Sequence, residues 1–225
     1  MKSLLFKNGM KDRHYLVQVL FLFLLISFPF INSLWHDDKL TILFYISFIL
    51  FILYGILLLE KPSILLIVSG GTSILILLLS TGVEITGVRL YTWPTLMRPV
   101  LLIFYCSFLG LRLLGDTLRE NVSVKLLYIS IANYLIIGII FHFLFLLTHL
   151  LNGAAFNFPV QKSYDHIYMS FIVLCSVGLG DLLPLSPLAK FLVMLEAIAG
   201  QIYLTFFVAI IIGKYLGEAK MKKNS

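Results

Sequence analysis

The sequence predicts an all-α membrane protein with six transmembrane helices and, between the fifth and sixth, a short helix followed by a re-entrant loop. Of its 225 residues 60% are hydrophobic and only 12% are charged, and the mean hydropathy is +1.01. A soluble domain of this size needs more polar groups to cover its surface. The apolar residues also form runs of about 20, the length that a helix needs to cross the hydrocarbon core.

Six apolar runs account for most of the chain, and charges, prolines or glycines separate them. Glu60, Lys61 and Pro62 end the second run, because proline and two charges disfavour a continuing helix in lipid. The polar stretch 115–125 between the fourth and fifth runs predicts an interfacial linker, and residues 217–225 a short cytoplasmic tail. The first four runs thus form a peripheral transmembrane domain over 1–114, and the last two a second unit over 126–216. The predicted spans are 14–34, 40–59, 63–81, 93–114, 126–151 and 188–216.

The basic residues predict the orientation of the chain. With six spans both termini lie on one side, and twelve of the 17 Lys and Arg residues fall on that side. Cytoplasmic loops of membrane proteins carry this excess, so both termini are predicted to be cytoplasmic in a multi-pass protein of the cell membrane. The net charge of +6 is spread over loops and ends. It therefore predicts contact with a lipid bilayer rather than with nucleic acid, and we expect no appended ligand-sensing domain.

Segment 152–187 is too polar and too rich in Gly and Pro for a simple span. Its first ten residues predict a loop, and Ser163 a helix N-cap. The following stretch, Tyr164 to Leu174, would make roughly 16 Å of helix, enough to reach halfway across a membrane. A helix that stops there leaves its last carbonyls without partners inside the helix, which is tolerated only where they face water, an ion or protein.

The run after this helix contains glycine at alternate positions, Gly178 and Gly180. Glycine permits backbone conformations that point successive carbonyls the same way. The carbonyl end of a helix also favours a nearby cation. A ring of such strands would replace the hydration shell of a cation with carbonyl oxygens. The residues themselves therefore predict an ion-binding loop.

A resemblance to a known family supports this interpretation. The run Ser176-Val177-Gly178-Leu179-Gly180-Asp181 is similar to the TVGYGD filter of tetrameric potassium channels, with Ser in place of Thr and Leu in place of Tyr. Pro184 follows the filter and Gly200 falls at the hinge position, as in the family. The stretch 195–204, LEAIAGQIYL, also looks like the inner helix of bacterial channels with one pore loop. The resemblance covers about residues 126–216, the predicted pore domain.

The resemblance implies a homotetramer that conducts K⁺ passively. The implied ligands of K⁺ are the carbonyls of Ser176, Val177, Gly178 and Leu179, with the Ser176 hydroxyl. In the family the filter aspartate, here Asp181, bonds to an aromatic residue of the pore helix, and this chain has Tyr168 there. Since no cluster of catalytic groups is evident, we expect no enzyme. The residues expected to form or support the filter are Ser176, Val177, Gly178, Leu179, Gly180, Asp181, Tyr168, Cys175 and Glu196.

Helical spacing places a stripe of residues along one side of the sixth span. The resemblance makes this stripe the lining of the cavity and gate; helix packing is the alternative. The stripe and its hinge comprise Ala197, Gly200, Gln201, Leu204, Val208 and Ile212. Glu196 lies deep in the same span, where an ionisable residue is a functional candidate by default. It either supports the pore helix, protonated or hydrogen-bonded, or binds the ion directly.

The fourth span carries only Arg98 and Arg112, at its two ends, whereas a voltage sensor needs about 3–4 gating charges per subunit. We therefore expect a scaffold with little voltage sensing. Cys106 and Cys175 are expected to be buried free thiols. For Tyr134, His142 and His149 we expect packing roles, and for His166 a structural role or, alternatively, a pH effect on conduction. Three other functions stay open: a weakly selective monovalent cation channel, a subunit of a potassium uptake system and a non-conducting scaffold.

Overall fold

The computed structural model describes residues 2–35, 38–58, 63–86, 92–121, 123–160 and 163–224. The described residues form helices and connecting loops and contain no β-strand, apart from one isolated bridge between Phe156 and Pro184. The helices are α1 (Lys2–Trp35), α2 (Asp38–Leu58), α3 (Ile64–Thr86), α4 (Thr92–Arg119), α5 (Val124–Leu151), α6 (Ser163–Leu174) and α7 (Pro187–Asn224).

Four of the described helices are long and apolar enough to cross a membrane. The apolar parts of α2 and α3 are shorter, Ile46–Leu57 and Ile64–Leu78, so six spans remain a prediction. The four candidate spans are His14–Ile31, Thr95–Arg119, Val124–Leu151 and Pro187–Leu216.

Several helices extend beyond the predicted spans. Helix α1 begins at Lys2 instead of residue 14, and α4 continues to Arg119, through the first part of the predicted linker. Helix α7 runs to Asn224, through the predicted tail. A membrane span ends where hydrocarbon ends, whereas a helix ends where its backbone bonds end, and polar residues outside the hydrocarbon continue those bonds at no cost.

Helix α5 joins the two halves of the fold. It contacts α1 and α4 as well as α6 and α7, and one apolar core runs from α1 to α5. Tyr105 of α4 is fully buried in this core and donates its hydroxyl to the Ile52 carbonyl of α2 at 3.0 Å. Helix α5 begins after the N-cap Ser123, whose hydroxyl accepts the Leu126 amide at 3.2 Å. Its position fixes where α6, the following loop and α7 can lie.

Candidate functional site

The candidate site lies between α5 and α7 and is built on the short helix α6. The predicted helix from Tyr164 to Leu174 is confirmed, with Asp165 in its first turn, where negative charge is favourable. The side chain of the predicted N-cap, Ser163, lies outside the described part of the structure. With 12 residues, α6 is about 18 Å long and is followed at once by residues 175–181, which we call the candidate filter loop.

The last carbonyls of α6 have partners within the protein. The amides of Cys175 and Ser176 bond to the carbonyls of Phe171 and Val173, at 3.0 and 2.8 Å. The Ile172 carbonyl accepts both the Val177 and Gly178 amides, at 2.9 and 3.2 Å. The carbonyls at the end of α6 are therefore satisfied by backbone amides of the protein itself. The same bonds hold the first residues of the loop against the helix end.

The last carbonyl of α6, that of Leu174, lies where three helices meet. The Tyr134 hydroxyl of α5 donates to it at 3.2 Å, so Tyr134 does more than pack. On the other side, a Cβ at Gly200 of α7 would lie 2.4 Å from the same oxygen. Any larger residue would force the two backbones apart. Glycine at this position thus has a packing reason that is independent of its predicted role as a hinge.

The backbone of the candidate filter loop alternates in conformation. Ser176, Gly178 and Gly180 have positive φ values of 55, 53 and 79°, whereas the residues between them do not. In an ordinary extended strand successive carbonyls point to opposite sides. A change of φ sign at every second residue is the way in which a chain brings them toward one side. The two glycines adopt this conformation without strain, whereas Ser176 is a non-glycine residue in the left-handed region.

The side chains of this loop lie on the surface of the single chain. Val177 is 58% and Leu179 is 64% exposed, and Ser176, both glycines and Asp181 are exposed too. Cys175, predicted to be buried, is also exposed, and that prediction was wrong; Cys106 is buried as predicted. Helix α6 ends at Leu174, so Cys175 lies in the exposed loop and not on the buried side of a helix.

Two side chains from neighbouring helices contact the loop directly. The Gln201 amide of α7 donates to the Ser176 hydroxyl at 2.7 Å, so this predicted cavity residue also holds the first residue of the loop. The Tyr168 phenol of α6 interacts with Asp181, the pair that the resemblance implied. A hydrogen bond to the Asp181 carboxylate is the main cause that raises the pKa of Tyr168, with burial second. The phenol therefore stays protonated, and able to donate, well above neutral pH.

Asn157 holds the C-terminal end of the loop, a role that was not predicted from the sequence. Its side-chain amide donates to the Asp181 carbonyl at 3.2 Å, and its side-chain oxygen accepts the Leu183 amide at 2.8 Å. Its backbone amide bonds to the Leu183 carbonyl at 3.1 Å. Neighbouring Phe156 and Phe158 are buried while Asn157 is exposed. This alternation of apolar and polar residues is typical of a short extended segment. It is visible in the sequence and could have indicated that Asn157 lies in such a segment.

A buried polar contact joins α7 to the back of α6. Glu196 is fully buried, and its Oε1 lies 2.5 Å from the Ser170 hydroxyl. The same hydroxyl lies 2.7 Å from the Gly138 carbonyl of α5. Glu196 therefore does not line an open path in the single chain. It lies between helices, in agreement with a supporting role and not with direct contact to an ion.

Two buried histidines join the end of α5 to the start of α6. His149 Nδ1 lies 2.9 Å from His166 Nε2, and His149 Nε2 lies 3.3 Å from the Gly153 carbonyl. Because a carbonyl can only accept, Nε2 of His149 carries a hydrogen, and its Nδ1 accepts from His166. Phe156 and Phe158 pack around the pair. Among the described residues no group of His, Cys, Asp or Glu is placed to hold a metal ion.

The other end of α7 is attached to the end of α4. The Lys214 ammonium donates to the carbonyls of Thr117 and Leu118, at 3.0 and 3.2 Å, and to that of Glu120. A lysine at the carbonyl end of a helix is favoured by the helix dipole. The predicted gate residues Leu204, Val208 and Ile212 are 38, 52 and 53% exposed and lie between this contact and Gly200. These three residues of the predicted lining are therefore not covered by other parts of the same chain.

These features define the class of protein. It is a helical membrane protein in which a short helix and a glycine-containing loop lie between two long apolar helices. Residues 129–216 match the model of a family described as "Ion channel". This match covers most of α5, all of α6 and the loop, and most of α7. This part of the chain is therefore similar to an ion-channel domain, and the similarity supports ion channel function. No curated protein and no solved structure gives a significant match to the chain.

Proposed function

We propose that this chain is one subunit of a homotetrameric, potassium-selective channel of the cell membrane, with both termini in the cytoplasm. K⁺ crosses it passively between stacked carbonyls of Ser176, Val177, Gly178 and Leu179, with the Ser176 hydroxyl as the innermost ligand. The observation that carries the proposal is the alternating φ sign over 176–181 in a loop exposed on the single chain. Exposed backbone carbonyls in such a loop are suited to replace the hydration shell of a cation.

Two observations support four copies around the filter. The described part of the chain contains one such loop, and a ring of carbonyls needs several. Of the residues in the apolar window of α7, only 11% are buried by the chain itself, which leaves a large surface for neighbouring subunits. Mass measurement of the protein in nanodiscs tests the assembly, with four chains as the expected result. A stable monomer or dimer would contradict it.

The experiment that tests conduction is the reversal potential of purified protein in planar bilayers with opposed potassium and sodium gradients. A potential near that of potassium is expected. A purified protein that passes no current would favour a non-conducting scaffold. Current that requires another chain would favour a subunit of an uptake system.

A weakly selective monovalent cation channel is the second candidate, and Leu179 favours it. Backbone oxygens are unaffected by the replacement of Tyr with Leu, but Leu has no hydroxyl with which to support the width of the filter. Selectivity between similar ions depends on the number and stiffness of the ligands. We therefore expect a smaller preference for potassium than with Tyr, and an increase in Leu179→Tyr. Equal passage of sodium and potassium by the native protein would replace the first candidate with the second.

A further inference from the structure

The contact between Glu196, Ser170 and the Gly138 carbonyl joins all three helices of the ion-channel domain. Glu196 is 0% exposed within one chain, so its surroundings are set by this chain and not by a neighbouring subunit. Its Oε1 lies 2.5 Å from Ser170 Oγ, which lies 2.7 Å from the Gly138 oxygen. Both distances are those of short hydrogen bonds between oxygens.

Counting the hydrogens decides the state of Glu196. Two oxygens approach this closely only with a hydrogen between them, and the serine hydroxyl has one hydrogen to give. The Gly138 carbonyl can only accept, so it takes the serine hydrogen. The hydrogen of the second contact must then come from Glu196. An ionised carboxylate would leave one of the two contacts as a pair of oxygens with no hydrogen between them.

The surroundings of Glu196 also favour its protonated form. Its second oxygen, Oε2, is buried and has no hydrogen-bond partner in the described part of the chain. Among the titratable groups, Tyr134 of α5 interacts with Glu196. A tyrosine phenol offers no positive charge that would stabilise a carboxylate. A buried carboxylate without a cation and with an unpaired oxygen is strongly disfavoured, whereas a carboxylic acid is tolerated.

We propose that Glu196 is a neutral carboxylic acid that donates to Ser170, which in turn donates to the Gly138 carbonyl. This chain of two hydrogen bonds sets the position of α6 between α5 and α7. Glu196 is thus a positioning residue, and its effect on ion selectivity rests on the proposed function of the loop. This positioning role depends on the hydrogen that Glu196 donates and not on a negative charge.

Infrared spectroscopy of the native protein tests the protonation state directly and does not depend on conduction. With ¹³C-labelled glutamate, we expect the carbonyl stretch of a protonated carboxyl group at neutral pH, and its loss in Glu196→Gln. At this pH exposed carboxyl groups are ionised and do not contribute. The absence of a protonated glutamate band from the native protein would overturn the proposal, whether or not the channel selects potassium.

Permeability ratios test the positioning role. A glutamine amide can donate to Ser170 as the acid does, so Glu196→Gln should keep the potassium-to-sodium ratio within about twofold. Glu196→Leu and Ser170→Ala remove a donor from a buried chain and should lower the ratio roughly tenfold. The double variant Glu196→Leu, Ser170→Ala should have a ratio no lower than that of either single variant, because both substitutions break the same pair of hydrogen bonds.

Two hydroxyl deletions serve as matched controls. Ser130 and Thr205 each bond to a carbonyl of their own helix, at 2.9 and 2.8 Å, so Ser130→Ala and Thr205→Val should leave the ratio unchanged. A ratio in Glu196→Gln as low as in Glu196→Leu would overturn the role of the donated hydrogen. Should these variants fail to assemble, the spectrum of the native protein still decides the state of Glu196.

Discussion

Helices α5 and α7 are almost equally apolar, yet the chain buries them to different extents. Their apolar windows have mean hydropathies of 2.2 and 2.0, but 56% of the first and 11% of the second is buried. Helix α5 packs in an apolar core along most of its length. Helix α7 adds only its first turns to a small apolar cluster, and further along it is attached through specific contacts at Glu196, Gly200, Gln201, Tyr203 and Lys214. Hydropathy therefore reports that a helix avoids water, and not whether protein or lipid surrounds it.

Alanine substitution of two isoleucines tests this comparison most strongly. Ile136 of α5 is 0% exposed and Ile202 of α7 is 63% exposed. Ile136→Ala should lower the free energy of unfolding by about 2–5 kcal/mol, because it leaves a cavity in packed protein. Ile202→Ala should leave the stability of the dissociated chain nearly unchanged. Thermal unfolding in detergent, followed by circular dichroism, measures both; equal losses would remove the contrast between the helices.

A methyl group at Gly200 should separate α7 from the end of α6. Its Cβ would lie 2.4 Å from the Leu174 oxygen, a backbone atom that cannot move alone. Gly200→Ala should therefore cost about 1–3 kcal/mol of stability and abolish most of the current. Gly213 of the same helix has nothing within 4 Å of such a Cβ and provides the control. If Gly200→Ala conducts as Gly213→Ala does, the close approach of Gly200 to the Leu174 carbonyl is not needed for conduction.

Removal of the Tyr203 hydroxyl tests a contact between α7 and α5. The hydroxyl donates to the Ser130 carbonyl at 2.8 Å, and Tyr203 is buried. Tyr203→Phe should lower the free energy of unfolding by about 0.5–1.5 kcal/mol. Tyr215→Phe, at a residue that is 64% exposed, should have no effect on the same thermal measurement. Equal effects would mean that α7 does not depend on this bond.

Loss of the Lys214 ammonium should loosen the C-terminal part of α7 from α4. Lys214→Gln removes a cation from helix-end carbonyls, an interaction of about 0.3–1 kcal/mol, so the open probability should change by a few-fold. Single-channel recording measures this change. Lys190→Gln, which removes the same charge at an exposed residue, is the control. An unchanged open probability in Lys214→Gln would show that this contact does not bias the gate.

The smallest expected effect concerns voltage. Because α4 carries few arginines and Arg112 is exposed, Arg98→Gln and Arg112→Gln should leave the slope of conductance against voltage unchanged. Macroscopic currents over a range of voltages measure the slope. A steep native slope that either substitution reduces would assign gating charge to α4.

The sequence predicted local features of the site more completely than its long-range contacts. The position of α6 and the need for glycine at residues 178 and 180 follow from hydropathy and backbone sterics. The bond between Gln201 and Ser176 joins residues that are 25 apart in sequence, and nothing in either local pattern indicates it. The same holds for Tyr134 of α5 with Leu174 of α6, and for Ser170 of α6 with Glu196 of α7.

The errors have physical causes as well. The bounds of the predicted spans differ from those of the helices because hydropathy marks the hydrocarbon, and α4 continues beyond residue 114 to Arg119, into the predicted interfacial linker. Cys175 was expected to be buried from the apolar residues around it, but α6 ends at Leu174 and Cys175 lies in the exposed loop that follows.

The length of α7 beyond Gly200 has a mechanical consequence. The helix continues unbroken to Asn224, so the arm beyond Gly200 is about 36 Å long. A tilt of only about 10° at the glycine would displace the far end by roughly 6 Å, slightly more than one helical turn. A small rotation beside the candidate filter loop would thus become a large movement at the C-terminal end of the helix. The contacts of Lys214 lie on that arm, about 21 Å from Gly200, and oppose its movement with more leverage than a contact beside the glycine would have.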